Sequence, residues 1–248
     1  MKKWTAIFLS ALLVLSLAAC GNSNQNTVEE TLAETQVTTL ETQPDDGSAE
    51  TAESGTDGAE TAKAGDGNIL IAYFSVMETD GVDTVSGASR VAVNGEALGN
   101  NEYIAQIIQR ETGGDLFPIE TVQEYPDTHD PLLEFAYNEK ADNARPKLAT
   151  QIENLDSYDV IFLGFPNWNA DLPMPLYTFL EAYDFSGKTI IPFTTHGGSG
   201  FSRTIQTISE LQPDATVLSD GLSIYRDSVP EAESEVVNWV NDLNLTTR

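Results

Sequence analysis

Asn68-Ile-Leu-Ile-Ala-Tyr-Phe-Ser75 is a short, continuous apolar run closed by a hydroxyl residue. A half-exposed strand alternates apolar with polar side chains. This run does not alternate, so it reads as a strand buried on both faces. Two later runs have the same character: Tyr158-Asp-Val-Ile-Phe-Leu-Gly-Phe165 and Lys188-Thr-Ile-Ile-Pro-Phe-Thr-Thr195. The last contains Pro192, which cannot donate to a strand ladder.

Helical patterns lie between these runs. Residues 101–111 predict a helix capped by Asn100, with Ile104, Ala105, Ile107 and Ile108 on its apolar face and Gly113-Gly114 as its stop. A strand is expected over 115–119. Helices are expected over 132–142, 146–154 (Pro146 at its start), 175–183, 201–211 and 230–243, the last striped by Val236, Val237, Val240 and Leu243. Residues 215–218 and 222–225 suit an edge strand. Within the stretch 76–98, which reads as a long polar loop, Arg90 to Gly95 could form part of a hairpin. Strand and helix alternate about five times, which predicts a doubly wound α/β domain: a parallel sheet with helices on both faces. Such a sheet binds ligands at the carboxyl ends of its strands, near the switch point. The loops after Ser75, Phe165 and Thr195 lie there.

The rest of the chain is unlike this domain. Lys2 and Lys3 precede an apolar stretch from Trp4 to Leu17, too short for a comfortable membrane span. Leu17-Ala-Ala-Cys20 follows and resembles the bacterial lipobox. That resemblance implies a lipoprotein signal peptide over 1–19, lipid attachment at Cys20 and an extracytoplasmic, lipid-anchored location. An ordinary signal peptide that happens to carry a Cys is the other reading. Residues 21–67 hold eleven acids, one Lys and no aromatic residue, and predict a disordered acidic linker. The folded domain is then residues 68–248.

Over all 248 residues there are 39 acidic and 12 basic side chains, a net charge of -27. Nucleic acid and anionic lipid surfaces are poor partners for such a chain. A single Cys excludes an internal disulfide framework and a Cys-based zinc cluster. Neither His has metal-ligand spacing, and no metal site is expected. Glu78, Asp80 and Asp83 lack the calcium-loop pattern and read as a solvated acidic loop. His129, in an acidic segment beside Pro131, also reads as solvated.

The three loops offer distinct chemistry. Gly99-Asn100-Asn101 opens a helix, where backbone amides and the Ser75 hydroxyl can hold a monophosphate. Plain helix capping is the alternative. Trp168, in Pro166-Asn-Trp-Asn-Ala-Asp171, can stack on a flat ring or fold back onto the core. In Thr195-His-Gly-Gly-Ser-Gly200, glycines allow close backbone approach, and His196 is either a proton-transfer group or a hydrogen-bonded structural residue.

Together these stretches resemble the flavodoxin family, specifically bacterial members with a long insertion in the phosphate loop. The resemblance covers nearly all of residues 68–245. It implies a five-stranded parallel sheet in the flavodoxin order and a non-covalent FMN. Ser75, Gly99, Asn100 and Asn101 would hold the phosphate. Pro166, Asn167 and Trp168 would line one side of the isoalloxazine, and Thr195, His196, Gly197 and Gly198 its pyrimidine edge. The family usually has Thr at Asn101 and often a second aromatic at Asn169. Asp83-Thr-Val-Ser-Gly-Ala-Ser89 is similar to the sequence at which bacterial flavin transferases attach FMN through a hydroxyl. It implies covalent flavin at Ser89, and a polar turn is the other reading. The functions that follow are electron transfer with a partner bearing a basic docking surface, an NAD(P)H- or quinone-dependent oxidoreductase, or a surface binding lipoprotein that has lost FMN. A strongly acidic surface would disfavour the anionic reduced flavin.

Overall fold

The computed structural model describes residues 68–79 and 89–245. The leader, Cys20, the acidic linker and Asp83 to Ala88 lie outside the described residues.

The main sheet is parallel. Its strands are β1 (Asn68–Tyr73), β4 (Asp115–Pro118), β5 (Tyr158–Pro166), β6 (Thr189–His196), β7 (Thr216–Val217) and β8 (Leu222–Tyr225). Their order is β4-β1-β5-β6-β7, with β8 pairing β6 beyond β7, so five positions are filled and the last is shared. β2 (Arg90–Val93) and β3 (Glu96–Gly99) form a separate antiparallel hairpin before α1 (Asn100–Thr112). The remaining helices are α2 (His129–Ala141), α3 (Met174–Ala182), α4 (Thr204–Leu211) and α5 (Glu233–Asp242). Among the described residues, no helix is long and apolar enough to cross a membrane.

The sheet separates two apolar cores. On one face Ile104, Ile107 and Ile108 of α1 meet Val236 and Val240 of α5 over Ile71, Phe162 and Phe193. On the other, Leu176 and Phe179 of α3 and Ile208 of α4 pack over Leu70, Ile161 and Phe165. Each fully buried aliphatic or Phe side chain contributes about 1.5–3 kcal/mol of transfer free energy. The unalternating strands are therefore explained by a helical layer on each side.

Pro192 fits because of the split edge. The carbonyls of Lys188 and Ile190 accept from Thr216 and Leu218, so by alternation Pro192 also faces that side. β7 ends at Val217 and β8 begins at Leu222, which leaves Pro192 opposite the break, where no donor is required. Gly221 packs there, where a Cβ would lie 2.4 Å from the Pro192 carbonyl oxygen.

Several boundaries differ from expectation. No helix forms over 146–154. Thr121 and Leu148 make an antiparallel bridge instead, with Val122 N–H donating to Lys147 O and Ala149 N–H to Glu120 O, each at 2.8 Å. That segment lacks an apolar stripe, and main-chain pairing satisfies its backbone. α2 starts three residues earlier than expected, at His129. α4 starts at Thr204, because Ser202 holds a φ of 51° that a helix excludes. The closing helix divides into a 3-10 segment, Arg226–Glu231, and α5. The N-cap of α1 is Gly99, and Asn100 is the first helical residue.

Gly164 of β5 makes the closest core contact. A Cβ there would lie 2.1 Å from the Phe193 ring, which is 0% exposed and has nowhere to move. Gly164→Ala is expected to destabilise the fold by about 1–3 kcal/mol. Urea unfolding followed by circular dichroism reads this directly, and an unchanged midpoint would contradict the packing described.

Candidate functional site

A cleft of about 470 Å³ opens at the carboxyl ends of β5 and β6. Of the expected cofactor residues, Pro166, Asn167, Trp168, Thr195, His196, Gly197 and Gly198 all line it. Ser75, Gly99, Asn100 and Asn101 are grouped together behind it, at the junction of β1 and α1. A hydrogen bond ties the two groups: Asn101 Nδ2 donates to Thr195 Oγ1 at 2.9 Å.

Ser75 and Gly99 are in such close contact that a Cβ on Gly99 would lie 2.1 Å from Ser75 Oγ. The hydroxyl can approach the helix end only because residue 99 has no side chain. Asn100 and Asn101 are each 1% exposed. The amides expected to face outward are partly consumed. Asn100 N–H donates to Ser89 O at 3.1 Å, and Gly99 N–H to Glu102 Oε2 at 3.3 Å. The segment entering the hairpin thus covers this helix end. Asn101 Oδ1 is buried without a hydrogen-bond partner. Turning that amide over would let Oδ1 accept from the Thr195 hydroxyl and offer Nδ2 to an anion, so the residue fits a phosphate despite replacing Thr.

The loop after β5 is a tight two-residue turn. Trp168 and Asp171 bond each other's backbones at 3.2 and 3.0 Å, and Asn169 and Ala170 both have positive φ, 54° and 57°. Asn tolerates that conformation and Ala adopts it at roughly 1–2 kcal/mol. A bulky aromatic at 169 would be strained, which accounts for its absence here. Lys140 Nζ anchors the turn, donating to Asn169 O at 2.7 Å and pairing with Asp171 at 3.2 Å. Trp168 stands at the boundary between cleft and core. It lines the cleft, and its ring meets Phe74 edge-on at 5.5 Å and Tyr125 at 5.8 Å. Asn167 Nδ2 donates to Gly200 O at 2.5 Å and fixes the facing loop, while its Oδ1 is buried without a partner.

In the loop after β6, His196 Nδ1 accepts the Gly198 N–H at 2.9 Å. That bond requires a neutral ring with its proton on Nε2, and burial holds the His196 pKa below its ordinary 6.5. Gly198 has a φ of 122° and open space where a Cβ would be, so the loop stays bare toward the cleft.

Glu78, His129 and Arg226 also line the cleft, which was not legible in the sequence. Glu78 is buried, 4% exposed, rather than solvated. His129 is half-buried and paired: its Nδ1 lies 2.7 Å from Glu78 Oε1, and Glu78 Oε2 accepts the Ser89 N–H at 3.2 Å. Asp80 and Asp83 lie outside the described residues. Ser89 is 4% exposed and lines the cleft wall. Arg226, just past β8, lines the cleft beside Gly197. No local motif marks Glu78, His129 or Arg226, since they reach the cleft only through the fold. Below Trp168, Tyr125 Oη donates to Glu139 at 2.7 Å. Burial raises the Glu139 pKa, and the bonds from Tyr125 and Gln123 pull it back. Among the described residues, no group of three His, Cys, Asp or Glu could hold a metal ion.

A family model described as flavodoxin matches residues 90–243. Among solved structures, the chain is similar to a Bacteroides uniformis protein provisionally described as a flavoprotein. The identity is 27% over 71% of this chain and 98% of that one, with a TM-score of 0.54. A Bacteroides eggerthii protein described in the same terms matches at 24% identity over 72% of this chain and 99% of its own, with a TM-score of 0.52. No curated protein matches the sequence.

The His196 bond has a pH signature. Because its folded-state pKa is depressed, its contribution to stability is complete above pH 6.5 and is lost as pH falls through the lower folded value. Ring-nitrogen NMR is expected to show Nδ1 unprotonated at neutral pH, a midpoint below 6.5, and the Gly198 amide shifting with the same midpoint. A proton on Nδ1 at neutral pH would contradict the loop geometry.

Proposed function

We propose that this chain, which belongs to the flavodoxin family, binds FMN non-covalently in the strand-end cleft and carries electrons at the outer face of a cell membrane. One observation carries the reading. The cleft gathers residues from the ends of β5 and β6 beside the N-terminus of α1, at the switch point of a doubly wound sheet. The residues present fit the group: a glycine-backed helix end, two orphaned buried amide oxygens, and bare glycines on the ring side.

FMN, when bound, supplies one- and two-electron redox chemistry. The chain's residues bind and orient it. Ser75 and Asn101 would meet the phosphate, with Gly99 and Asn100 shaping the turn. Pro166, Asn167 and Trp168 would flank the ring. Thr195, Gly197 and Gly198 would approach its edge, and His196 would hold that loop in shape through Gly198 rather than transfer a proton from Nδ1. The leader and Cys20 support the anchored location, since two acyl chains suffice for stable attachment.

A second reading, a binding lipoprotein without FMN, is favoured by one observation: Ser89 and Glu102 already occupy amides at the phosphate end. One experiment separates them. Detergent-solubilised full-length protein is mixed with FMN, freed of excess and scanned in the visible range. A retained flavin band, released to the supernatant by acid, is expected. Trp168→Ala should weaken binding by about 1 kcal/mol or more, the scale of an aromatic contact. A colourless protein would sink the redox reading, and flavin resisting acid would point to covalent attachment at Ser89.

The anchor is tested separately. Cys20→Ser is expected to move the protein from the detergent phase to the aqueous phase. Retention of Cys20→Ser in the detergent phase would remove the lipoprotein assignment.

A further inference from the structure

We propose that Arg226 is the counter-charge of the cleft: its guanidinium faces the edge of a flavin ring held there and stabilises negative charge on that ring. The inference rests on the FMN reading and goes beyond it, because it assigns a tuning residue and a direction to its effect.

Strand register sets the position. Tyr225 pairs with His196 across β8 and β6, so Arg226 comes level with Gly197. A Cβ on Gly197 would lie 3.5 Å from Arg226 Nη1 and 3.7 Å from its Cζ. With no side chain at 197, nothing from that residue stands between the guanidinium and the cleft.

The charge is poorly compensated within the protein. Arg226 Nε is buried and makes no hydrogen bond. The nearest paired carboxylate, Asp227, is 3.7 Å away, beyond hydrogen-bond distance, and 56% exposed. Glu78 is the one carboxylate among the described lining residues, and it is engaged by His129 and the Ser89 N–H. Arg226 is the one Lys or Arg among them. Its planar fork suits adjacent nitrogen and carbonyl acceptors on a ring edge.

This local charge opposes the overall field. The chain carries a net charge of -27, which disfavours an anionic ring. Exposed acids farther than about 8 Å are largely screened at physiological salt, whereas a cation in contact is not. At the ring edge the contact term wins.

Sulfite tests this without turnover. Its sulfur lone pair forms a bond to N5 of the oxidised flavin, and the displaced electron pair settles as negative charge on the N1 and C2-carbonyl region. The adduct is read as bleaching of the visible flavin band. The FMN-loaded full chain is titrated with sulfite as wild type, Arg226→Gln and Arg226→Lys, with FMN affinity measured for each. The Gln variant is expected to bind sulfite at least about tenfold more weakly, with the Lys variant within a few fold of wild type. If all three take up FMN and bind sulfite alike, Arg226 is only a packing residue and the proposal fails while the FMN reading stands. If wild type takes up no FMN, both fail.

Discussion

A strand covered on both faces can present chemistry only at its ends. β1, β5 and β6 are in that position, each almost wholly buried between two helical layers. Their side chains are spent on packing, so the polar groups available for a ligand gather where the strands stop. In this order the chain runs from β1 outward to β4 and then back past β1 to β5. The connections therefore leave on opposite faces and the strand ends part between them. The cleft follows from topology before any particular side chain is considered.

What turns the cleft into a defined site is how its walls are tied. Asn101 joins the start of α1 to the end of β6 through Thr195. Asn167 joins the end of β5 to the same facing loop through Gly200, and Lys140 pins the Trp168 turn from α2. The Asn101 and Asn167 bonds are buried or part-buried, where leaving a partner unmade costs about 1–3 kcal/mol, whereas the Lys140 bond is exposed. The arrangement is correspondingly rigid. The insertion is tied to the same framework through Thr79 to Asp127 and Glu78 to His129, and closed on itself through Glu78 and Ser89.

The fold was legible because burial on two faces leaves a local mark. Ile69 to Phe74, Val160 to Phe165 and Ile190 to Phe193 are apolar without alternation, and no other common element gives that pattern with helices between. The cleft residues after β5 and β6 were legible for a related reason, since each follows a recognisable strand directly. Glu78, His129 and Arg226 were not. Their neighbours in sequence are polar, and what buries or aims them is contact with residues about 30 to 50 positions away. The segment 146–154 misled for the opposite reason. Pro146 at a helix-like start is a local signal, and long-range pairing with residues 120–122 overrode it.

The charge distribution then has two scales. At long range the chain is acidic, with residues 21–67 and 68–248 of the same sign. That field steers approach and favours basic partners, but it is screened within a Debye length. Inside the cleft the balance differs: one carboxylate, already engaged, stands against a guanidinium, with neutral His196 beside it. A ligand in this cleft therefore meets a local environment unlike the field at the protein's surface. The field around the chain and the charge inside the cleft are set by different residues, and can change independently of each other.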